Sequence, residues 1–499
     1  MTVVPTAEGG LTGRAVRGMR WTLLGSVATF AVQIPYTAVL SRLLPPADFG
    51  LVALAMLMLS CVNYFAQGGL SSAVVQRDGL TERDVRTAFG LSLLTGSTGL
   101  VLVWFAAPFV VTLLAGPRQL IPVTQALAIA FTATALGATA SGLLRRNMRY
   151  RAVAVTEFGS YVFGYCGPGL ALALTGAGVW SLVAAAVGQS VLRAAWTYAL
   201  EPHDPRPLFD RIAMAPTASF GAKVSGVGLL EFVNSNMDTA LVGRFGGTAV
   251  LGQYSRAGFV ATLPLEQLGT AASKVLLPAL SRIQHERARL AAAYTDLTAV
   301  TTLLFLPLAT FIAALSGRLV PLLLGARWTV AAALVPLLAA SAVLGVIVHF
   351  PAVLAEALGQ VGRKAVIQGA RLVTVAVGAG CAVWWGSGVI GFALVMLGGR
   401  IVEHLLYVVW LRAVVGVSAR SLAIAYGQGA AVAGLLAGTV AVVDRLGRPV
   451  LPAPVVAGCA ALAGVAVAAL VLRFGGWLAG VQMLRARGLV PGLLKGGAG

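Results

Sequence analysis

Four polar or charged residues share one face of a long apolar segment, residues 216–243. They fall within a sector of about 80° at 100° per residue, and they are Lys223, Glu231, Asn234 and Asp238. Ionisable residues inside a membrane usually face a cavity or pair with each other, and they often mark a substrate pathway or a proton relay. The stripe predicts a polar cavity in which Glu231 and Asp238 are the proton-coupling candidates. An ion-paired packing seam between helices is the alternative.

The next apolar segment carries a basic stripe. Arg256, Gln267 and Lys274 lie within about 20° of each other on it. Since the two segments run in opposite directions, Asp238 and Arg256 are expected at one level as a candidate pair. The lysines Lys223 and Lys274 suit an anion, although snorkelling to the interface explains each lysine equally well.

The first two apolar segments carry uncharged polar stripes, whose amides are Gln33, Asn63 and Gln67. Amides and hydroxyls suit a sugar, but they also form hydrogen bonds between helices in membranes. Farther along, Arg400 has helical contact spacing to Glu403 and His404, which predicts a local ion pair.

The elements that position these residues are membrane-spanning helices. Of the 499 residues, 58% are hydrophobic and 11% are charged, and apolar runs of about 20 residues, the length that crosses a bilayer, recur along the chain. The prediction is an all-α polytopic membrane protein of about 14 spans. Their cores are 20–44, 49–73, 88–114, 119–142, 152–175, 177–200, 216–243, 249–278, 293–316, 319–350, 363–385, 388–411, 421–443 and 453–474.

The formal charge of +19 follows the topology. With the N-terminus inside, most Arg and Lys residues fall in cytoplasmic segments, as the positive-inside rule requires. Both termini are therefore predicted to be cytoplasmic in a multi-pass inner-membrane protein, and no nucleic-acid partner is expected. The four cysteines lie in apolar runs without metal-site spacing, and catalytic or phosphate-loop motifs are absent from the sequence. We expect a transporter with no cofactor and no metal.

The halves of the chain repeat at an offset of 202 residues. The identical pairs are Phe30/Phe232, Thr37/Thr239, Ala38/Ala240, Arg42/Arg244, Gly50/Gly252 and Ala55/Ala257. Six intervening spans give both copies the same orientation, so a parallel two-lobe transporter with a substrate site between the lobes is expected. The predicted divisions are 1–19 cytoplasmic tail, 20–200 N-lobe, 201–215 cytoplasmic linker, 216–411 C-lobe, 412–474 two extra spans and 475–499 cytoplasmic tail.

Several segments resemble the bacterial Wzx-type polysaccharide flippases, particularly the colanic-acid and teichuronic-acid exporter branch. The segments are SRLLPPADFGLVALA (41–55), GLSSAVVQR (69–77), LLRRNMRYRAVAVTE (143–157), GAGVWSLVA (176–184), NSNMDTALVGRFGGTAVLGQYSRA (234–257) and LLPALSRIQHE (276–286). The resemblance implies a fold like that of the multidrug and toxin extrusion (MATE) exporters, with two six-helix lobes in a V and two added C-terminal helices.

The resemblance further implies flipping of undecaprenyl-pyrophosphate-linked oligosaccharides to the outer leaflet by alternating access. Membrane lipid and polysaccharide polymerase or export machinery are the implied partners. Arg42 and Arg244 fall on the family's recurrent arginines, at the outer helix ends. The family's paired amides appear here as N-S-N-M-D, so Asn236 departs from the pattern. The alternatives are a cation-coupled multidrug exporter of the same fold and a membrane polysaccharide polymerase or ligase.

Overall fold

The computed structural model describes residues 8–66, 81–208, 230–262, 286–447 and 453–474, and this part of the chain is helical apart from short turns and the segment 201–208. The helices before the 201–208 segment are α1 (Glu8–Leu43), α2 (Pro46–Ala66), α3 (Glu82–Leu113), α4 (Leu120–Arg146), α5 (Tyr150–Gly159), α6 (Gly167–Leu174) and α7 (Val179–Leu200). A π-helical segment, Ser160–Cys166, joins α5 to α6.

The remaining helices begin with α8, residues 230–262, which turns at Gly247 with φ +75°. The others are α9 (Arg287–Leu324), α10 (Thr329–Ala357), α11 (Val361–Trp384), α12 (Gly388–Val414), α13 (Ala419–Gly447) and α14 (Ala453–Phe474). Within the described ranges, nine helices are long and apolar enough to cross a membrane. The all-α polytopic prediction is confirmed, while fourteen spans and the lobe layout stay predictions.

Contacts divide the chain into two compact units, Met1–Gly252 and Gln253–Gly499. The second unit has a core of buried apolar side chains from α9, α10, α11, α12 and α13, which includes Tyr407 and Leu411. Burial of such side chains stabilises the packing of these helices by roughly 1.5–3 kcal/mol each where the alternative is water. The tail, linker and lobe boundaries drawn from the sequence stay a prediction.

The backbone conformation of the turns shows that the internal repeat continues well beyond residues 30–55 and 232–257, where the sequence analysis found it. Gly176 and Gly178 have φ of +80° and +58° just before α7, and Gly386 and Gly388 have φ of +64° and +60° where α12 begins. Met148 before α5 and Gly359 before α11 also share a positive φ. Residues other than glycine rarely adopt a positive φ. Its recurrence at matched turns therefore identifies equivalent helices in the two halves.

The π-helical segment accounts for a small difference between the halves. The interval from Met148 to Gly176 is one residue longer than the interval from Gly359 to Gly386. Because π-helical bonding encloses one residue more than α-helical bonding, the segment Ser160–Cys166 accommodates the extra residue. Equivalent residues of the two halves are therefore 211 positions apart before this segment, as in α5 and α11, and 210 positions apart after it, as in α7 and α12.

Helices α2 and α8 cross at two glycines that are equivalent in the repeat, Gly50 and Gly252. A methyl group on Gly50 would overlap the Thr248 carbonyl oxygen, and one on Gly252 would overlap the Pro46 carbonyl oxygen. Pro46 and Thr248 are themselves 202 residues apart, so each contact is the repeat mate of the other. The crossing requires glycine at both positions, because any side chain would push the two backbones apart.

Candidate functional site

The predicted stripe of the first unit lies on the first part of α8. Asn234 is buried and its amide donates to the Leu230 carbonyl oxygen at 3.0 Å. The Asp238 Oδ1 atom accepts from the Thr239 amide at 2.7 Å, and Glu231 is partly buried. The helical prediction is confirmed here, so Glu231, Asn234 and Asp238 share one face. Their roles in substrate binding and proton coupling stay predictions.

Asn236, the residue that departs from the family pattern, bonds within its own helix. Its amide donates to the Phe232 carbonyl oxygen at 2.9 Å, an arrangement similar to that of Asn234. Side chains that bond back to the preceding turn bend a helix slightly and shield its backbone.

The other predicted site residues are distributed along several helices. Arg256 is partly buried in the second part of α8, with its guanidinium 5.3 Å from the Phe259 ring centroid. Gln33 is partly buried on α1, and Arg42 and Arg244 are exposed. Asn63 lies on α2, where its backbone alone is described. Four predicted residues lie outside the described ranges: Gln67, Lys223, Gln267 and Lys274.

A second polar stripe lies on α11 in the second unit, and the sequence analysis did not identify it. Lys364, Gln368 and Arg371 follow the i, i+4, i+7 spacing of one helix face and are all buried. The Lys364 ammonium group pairs with the Glu356 carboxylate at the end of α10. The spacing of these three residues was the available signal, because an apolar helix seldom places three long polar side chains on one face by chance.

Glu403 of α12 connects the polar stripe of α11 to α12. Its Oε2 atom lies 3.0 Å from Arg400 Nη1 and 3.5 Å from Arg371 Nε. The Arg400 guanidinium also packs against Gly345 of α10. The predicted local ion pair between Arg400 and Glu403 is confirmed, and the structure adds the contact to α11. The buried carboxylate thereby joins α11 to α12, and Arg400 extends the network to α10.

The ion-pair network around Glu403 lies far from the ends of its helices. Arg371 lies ten residues after Val361, the first residue of α11, and Glu403 lies eleven residues before Val414, the last residue of α12, so each is roughly 15 Å from the nearer end of its helix. Charges buried at such depth are unfavourable unless they are paired, and they are typically functional. The network is therefore a candidate functional element of the second unit. In the described part of the chain, no cluster of three or more acidic, His or Cys side chains suits a metal ion.

The segment after α7 is fixed to the first unit by polar contacts. Glu201 accepts from Asn147 at 2.7 Å and from Arg149 at 2.6 Å, and the Arg86 Nε donates to the Arg206 carbonyl oxygen at 3.1 Å. His203 lies against the rings of Phe89 and Tyr198, and this burial lowers the pKa of its imidazole. These contacts hold the first residues of the predicted linker in place.

Residues 39–333 match the family described as "Polysaccharide biosynthesis protein". The chain is 23% identical over 343 residues to the lipopolysaccharide biosynthesis protein WzxC of Escherichia coli, covering 68% of each chain. It is 28% identical over 326 residues to the succinoglycan biosynthesis transport protein ExoT of Rhizobium meliloti, covering 65% of each. It is also 25% identical over 344 residues to the teichuronic acid biosynthesis protein TuaB of Bacillus subtilis, covering 68% of this chain and 69% of that one.

The fold is similar to two solved structures. The lipid II flippase MurJ in an inward closed conformation superposes with a TM-score of 0.68 at 12% identity, covering 93% of this chain and 99% of MurJ. An inward-facing MATE multidrug transporter superposes with a TM-score of 0.61 at 16% identity, covering 77% and 94%. At these identities the likeness shows the fold, which is MATE-like as the sequence motifs implied.

Proposed function

The chain belongs to the polysaccharide biosynthesis protein family, and on that premise we propose that it flips undecaprenyl-pyrophosphate-linked oligosaccharides from the cytoplasmic to the outer leaflet by alternating access. The observation that carries the proposal is the family match over residues 39–333, which covers more than half of the chain. The resemblance to the Wzx-type flippases is thereby confirmed. The protein is a multi-pass membrane protein, and its named relatives serve the synthesis or transport of polysaccharides.

The three relatives are named for three different polysaccharides: lipopolysaccharide, succinoglycan and teichuronic acid. A substrate common to such proteins is better defined by its carrier than by its sugars. A lipid-linked pyrophosphate is anionic and presents strong hydrogen-bond acceptors. We therefore assign this chain a lipid-linked precursor and leave its glycan unspecified.

Guanidinium and amide side chains give this substrate two kinds of partner. Arg256 provides a planar group with several donors, which matches phosphate oxygens well, and Lys223 and Lys274 are proposed to assist it. Asn234 and Gln33 provide amides of the type that bind sugar hydroxyls. The prenyl tail stays in the surrounding lipid, where it needs no polar partner.

Transbilayer movement in proteoliposomes tests the proposal. Vesicles with the purified protein receive an undecaprenyl-pyrophosphate oligosaccharide, and an external lectin reports how much of the sugar remains accessible. We expect the protein to redistribute the sugar-lipid faster than protein-free vesicles do. A parallel assay uses a cationic dye. Movement of the dye with an immobile sugar-lipid would refute the flippase assignment and favour a multidrug exporter.

The same assay tests the assigned cation. Arg256→Ala removes a charged hydrogen-bond donor and is expected to weaken substrate binding by about 1.5–3 kcal/mol, which is roughly tenfold or more in the half-saturating concentration. The matched control is Arg289→Ala, an exposed arginine that pairs with Glu286 within one turn. Equal substrate dependence in both variants would remove Arg256 from the binding site.

A further inference from the structure

A histidine and two tyrosines form a polar cluster among α9, α12 and α13 of the second unit. The His404 Nε2 atom lies 3.2 Å from the Tyr426 hydroxyl oxygen, and the two rings meet edge to face with centroids 5.6 Å apart. Tyr294 of α9 lies close enough to Tyr426 to interact electrostatically. His404 is ten residues from the end of α12 at Val414, about 15 Å along the axis, so its imidazole lies within the membrane-spanning part of the protein.

Two polar atoms of this cluster are enclosed in the protein. They are the His404 Nδ1 atom, which has no hydrogen-bond partner among the residues that the structure describes, and the Tyr294 hydroxyl oxygen, which has the Thr298 side chain as a neighbour but makes no hydrogen bond of normal geometry to a described residue. Tyr294 is 3% exposed. Buried polar groups are normally paired, so each exception calls for a specific explanation. An apolar side chain of similar size would fill the same space without enclosing a polar atom, and packing alone therefore does not explain a histidine here.

Protonation would fix the direction of the hydrogen bond between α12 and α13. In the neutral imidazole, Nε2 can accept the Tyr426 hydroxyl proton, whereas in the imidazolium both nitrogens donate. The Tyr426 oxygen must then accept from Nε2, and its own proton must turn toward another acceptor; Tyr294 is a hydroxyl-bearing residue that interacts with Tyr426. The imidazolium therefore allows Nε2 only to donate, whereas the neutral imidazole allows either direction according to its tautomer. Histidine is the residue whose ordinary pKa allows this change between about pH 5 and pH 8.

The charged groups next to His404 belong to the Glu403 network. On α12, Glu403 precedes His404 and Arg400 lies one turn earlier, while Arg371 of α11 contacts Glu403. Toward α13, the imidazole meets the hydroxyl-bearing ring of Tyr426, which in turn interacts with Tyr294 of α9. While both guanidiniums hold Glu403, its negative charge is offset. Release of Glu403 by Arg371 would leave more of that charge to stabilise an imidazolium, so the two events favour each other, and such linkage is reciprocal.

We propose that His404 is a proton-binding site, and that its protonation weakens the Arg371–Glu403 ion pair between α11 and α12. The equivalent position in the first half, 210 residues earlier, is Ala194, so the repeat does not duplicate the imidazole there. The place of this proton in a transport cycle rests on the proposed function, whereas the binding of the proton itself does not. The two parts of the proposal are therefore tested separately.

Direct titration tests proton binding without any transport. The chain has four histidines, so nitrogen-15-labelled histidine in lipid nanodiscs gives few imidazole signals, and His404→Gln identifies the one of interest. We expect this imidazole to change charge between about pH 5 and pH 8, and Tyr426→Phe to shift its midpoint. The matched control is His349→Gln, an exposed histidine of α10, which should leave the signal unchanged. An imidazole that keeps one charge state throughout this range overturns the proposal.

Transport in proteoliposomes tests what the proton does. In wild-type protein we expect an imposed pH gradient to change the rate of sugar-lipid movement. His404→Gln should lose this response while retaining movement without a gradient, and His349→Gln should keep both. If His404→Gln fails to fold, Tyr426→Phe replaces it and should shift the pH midpoint of the rate.

The transport role is overturned if His404→Gln responds to the gradient as the wild type does, or if the wild-type protein does not respond to pH. Absence of any sugar-lipid movement by the wild type refutes the proposed function instead and leaves the titration to decide on the proton site.

Discussion

The two halves place opposite charges on equivalent helices of the repeat. Arg193 on α7 corresponds to Glu403 on α12 at an offset of 210 residues, and Glu157 on α5 corresponds to Gln368 on α11 at an offset of 211. In the first half an acid on α5 pairs with a base on α7, at 3.2 Å. In the second half the base, Arg371, lies on α11 and the acid on α12. The fold preserves a polar contact between these helices but does not fix which helix carries which charge.

The two contacts differ most in their exposure. The side chains of Glu157 and Arg193 are 43% and 41% exposed, whereas those of Glu403 and Arg371 are 4% and 8% exposed. Exposed ion pairs contribute little to stability, but removing one member of a buried pair leaves a charge that has lost both its partner and its solvent. Equivalent positions in one fold can thus differ strongly in their importance, and burial decides the difference.

The largest expected effect is the loss of the Glu403 carboxylate. Glu403→Ala removes the group that Arg371 and Arg400 both contact, and breaking a buried pair in this way typically costs about 3–5 kcal/mol. We expect the thermal unfolding midpoint of the purified protein in detergent to fall accordingly. Glu403→Gln keeps the side-chain volume and one carbonyl acceptor, and it should have an intermediate effect.

The matched variant in the first half is Glu157→Ala. Because this carboxylate is exposed and its partners Arg145 and Arg193 are also exposed, the substitution should lower the free energy of unfolding by no more than about 1 kcal/mol. Equal losses in both halves would show that burial does not separate the two contacts.

The sequence predicts one contact of the buried network and not the other, for a physical reason. Arg400 and Glu403 lie on one helix, where i, i+3 residues are always neighbours, so their pairing is readable from spacing. Arg371 lies on α11 and Glu403 on α12. Their contact therefore depends on how these two helices are rotated and aligned relative to each other. An apolar stripe indicates the face that a helix buries but gives no axial register against its neighbour.

The repeat shows a similar limit. Comparison of amino-acid identities finds Gly50 and Gly252, because both must be glycine at a backbone crossing. It overlooks Met148 and Gly359, which share a backbone conformation but not a side chain. The helical stripe with Glu231 is also predictable from period alone, whereas the depth and partners of the Lys364 stripe require coordinates.

The second expected effect applies to a position where the halves should behave alike. Gly50→Ala and Gly252→Ala each place a methyl group against a carbonyl oxygen of the other helix, and overpacking of this kind typically costs about 1–3 kcal/mol. Because the two contacts are repeat mates, we expect both variants to lower the unfolding midpoint by similar amounts.

Gly258→Ala is the control for these variants. It lies on α8 as Gly252 does, but an added methyl group would meet open space there, so alanine should be neutral or stabilising through its better helix propensity. A Gly258→Ala loss as large as that of Gly252→Ala would attribute the effect to the helix itself rather than to the crossing.

The smallest expected effect is the coupling between Glu157 and Arg193. A double-mutant cycle with Glu157→Ala and Arg193→Ala isolates the interaction from the other contacts of each side chain, including the one that Glu157 makes with Arg145 at 3.6 Å. For an exposed pair we expect a coupling of about 0.2–1 kcal/mol that falls with added salt. The corresponding cycle with Arg371→Ala and Glu403→Ala should give a larger coupling that salt changes little, since buried pairs are poorly screened. A salt-insensitive coupling in the first half would mean that solvent does not reach the Glu157 pair, and the contrast between the halves would then lie in charge order alone.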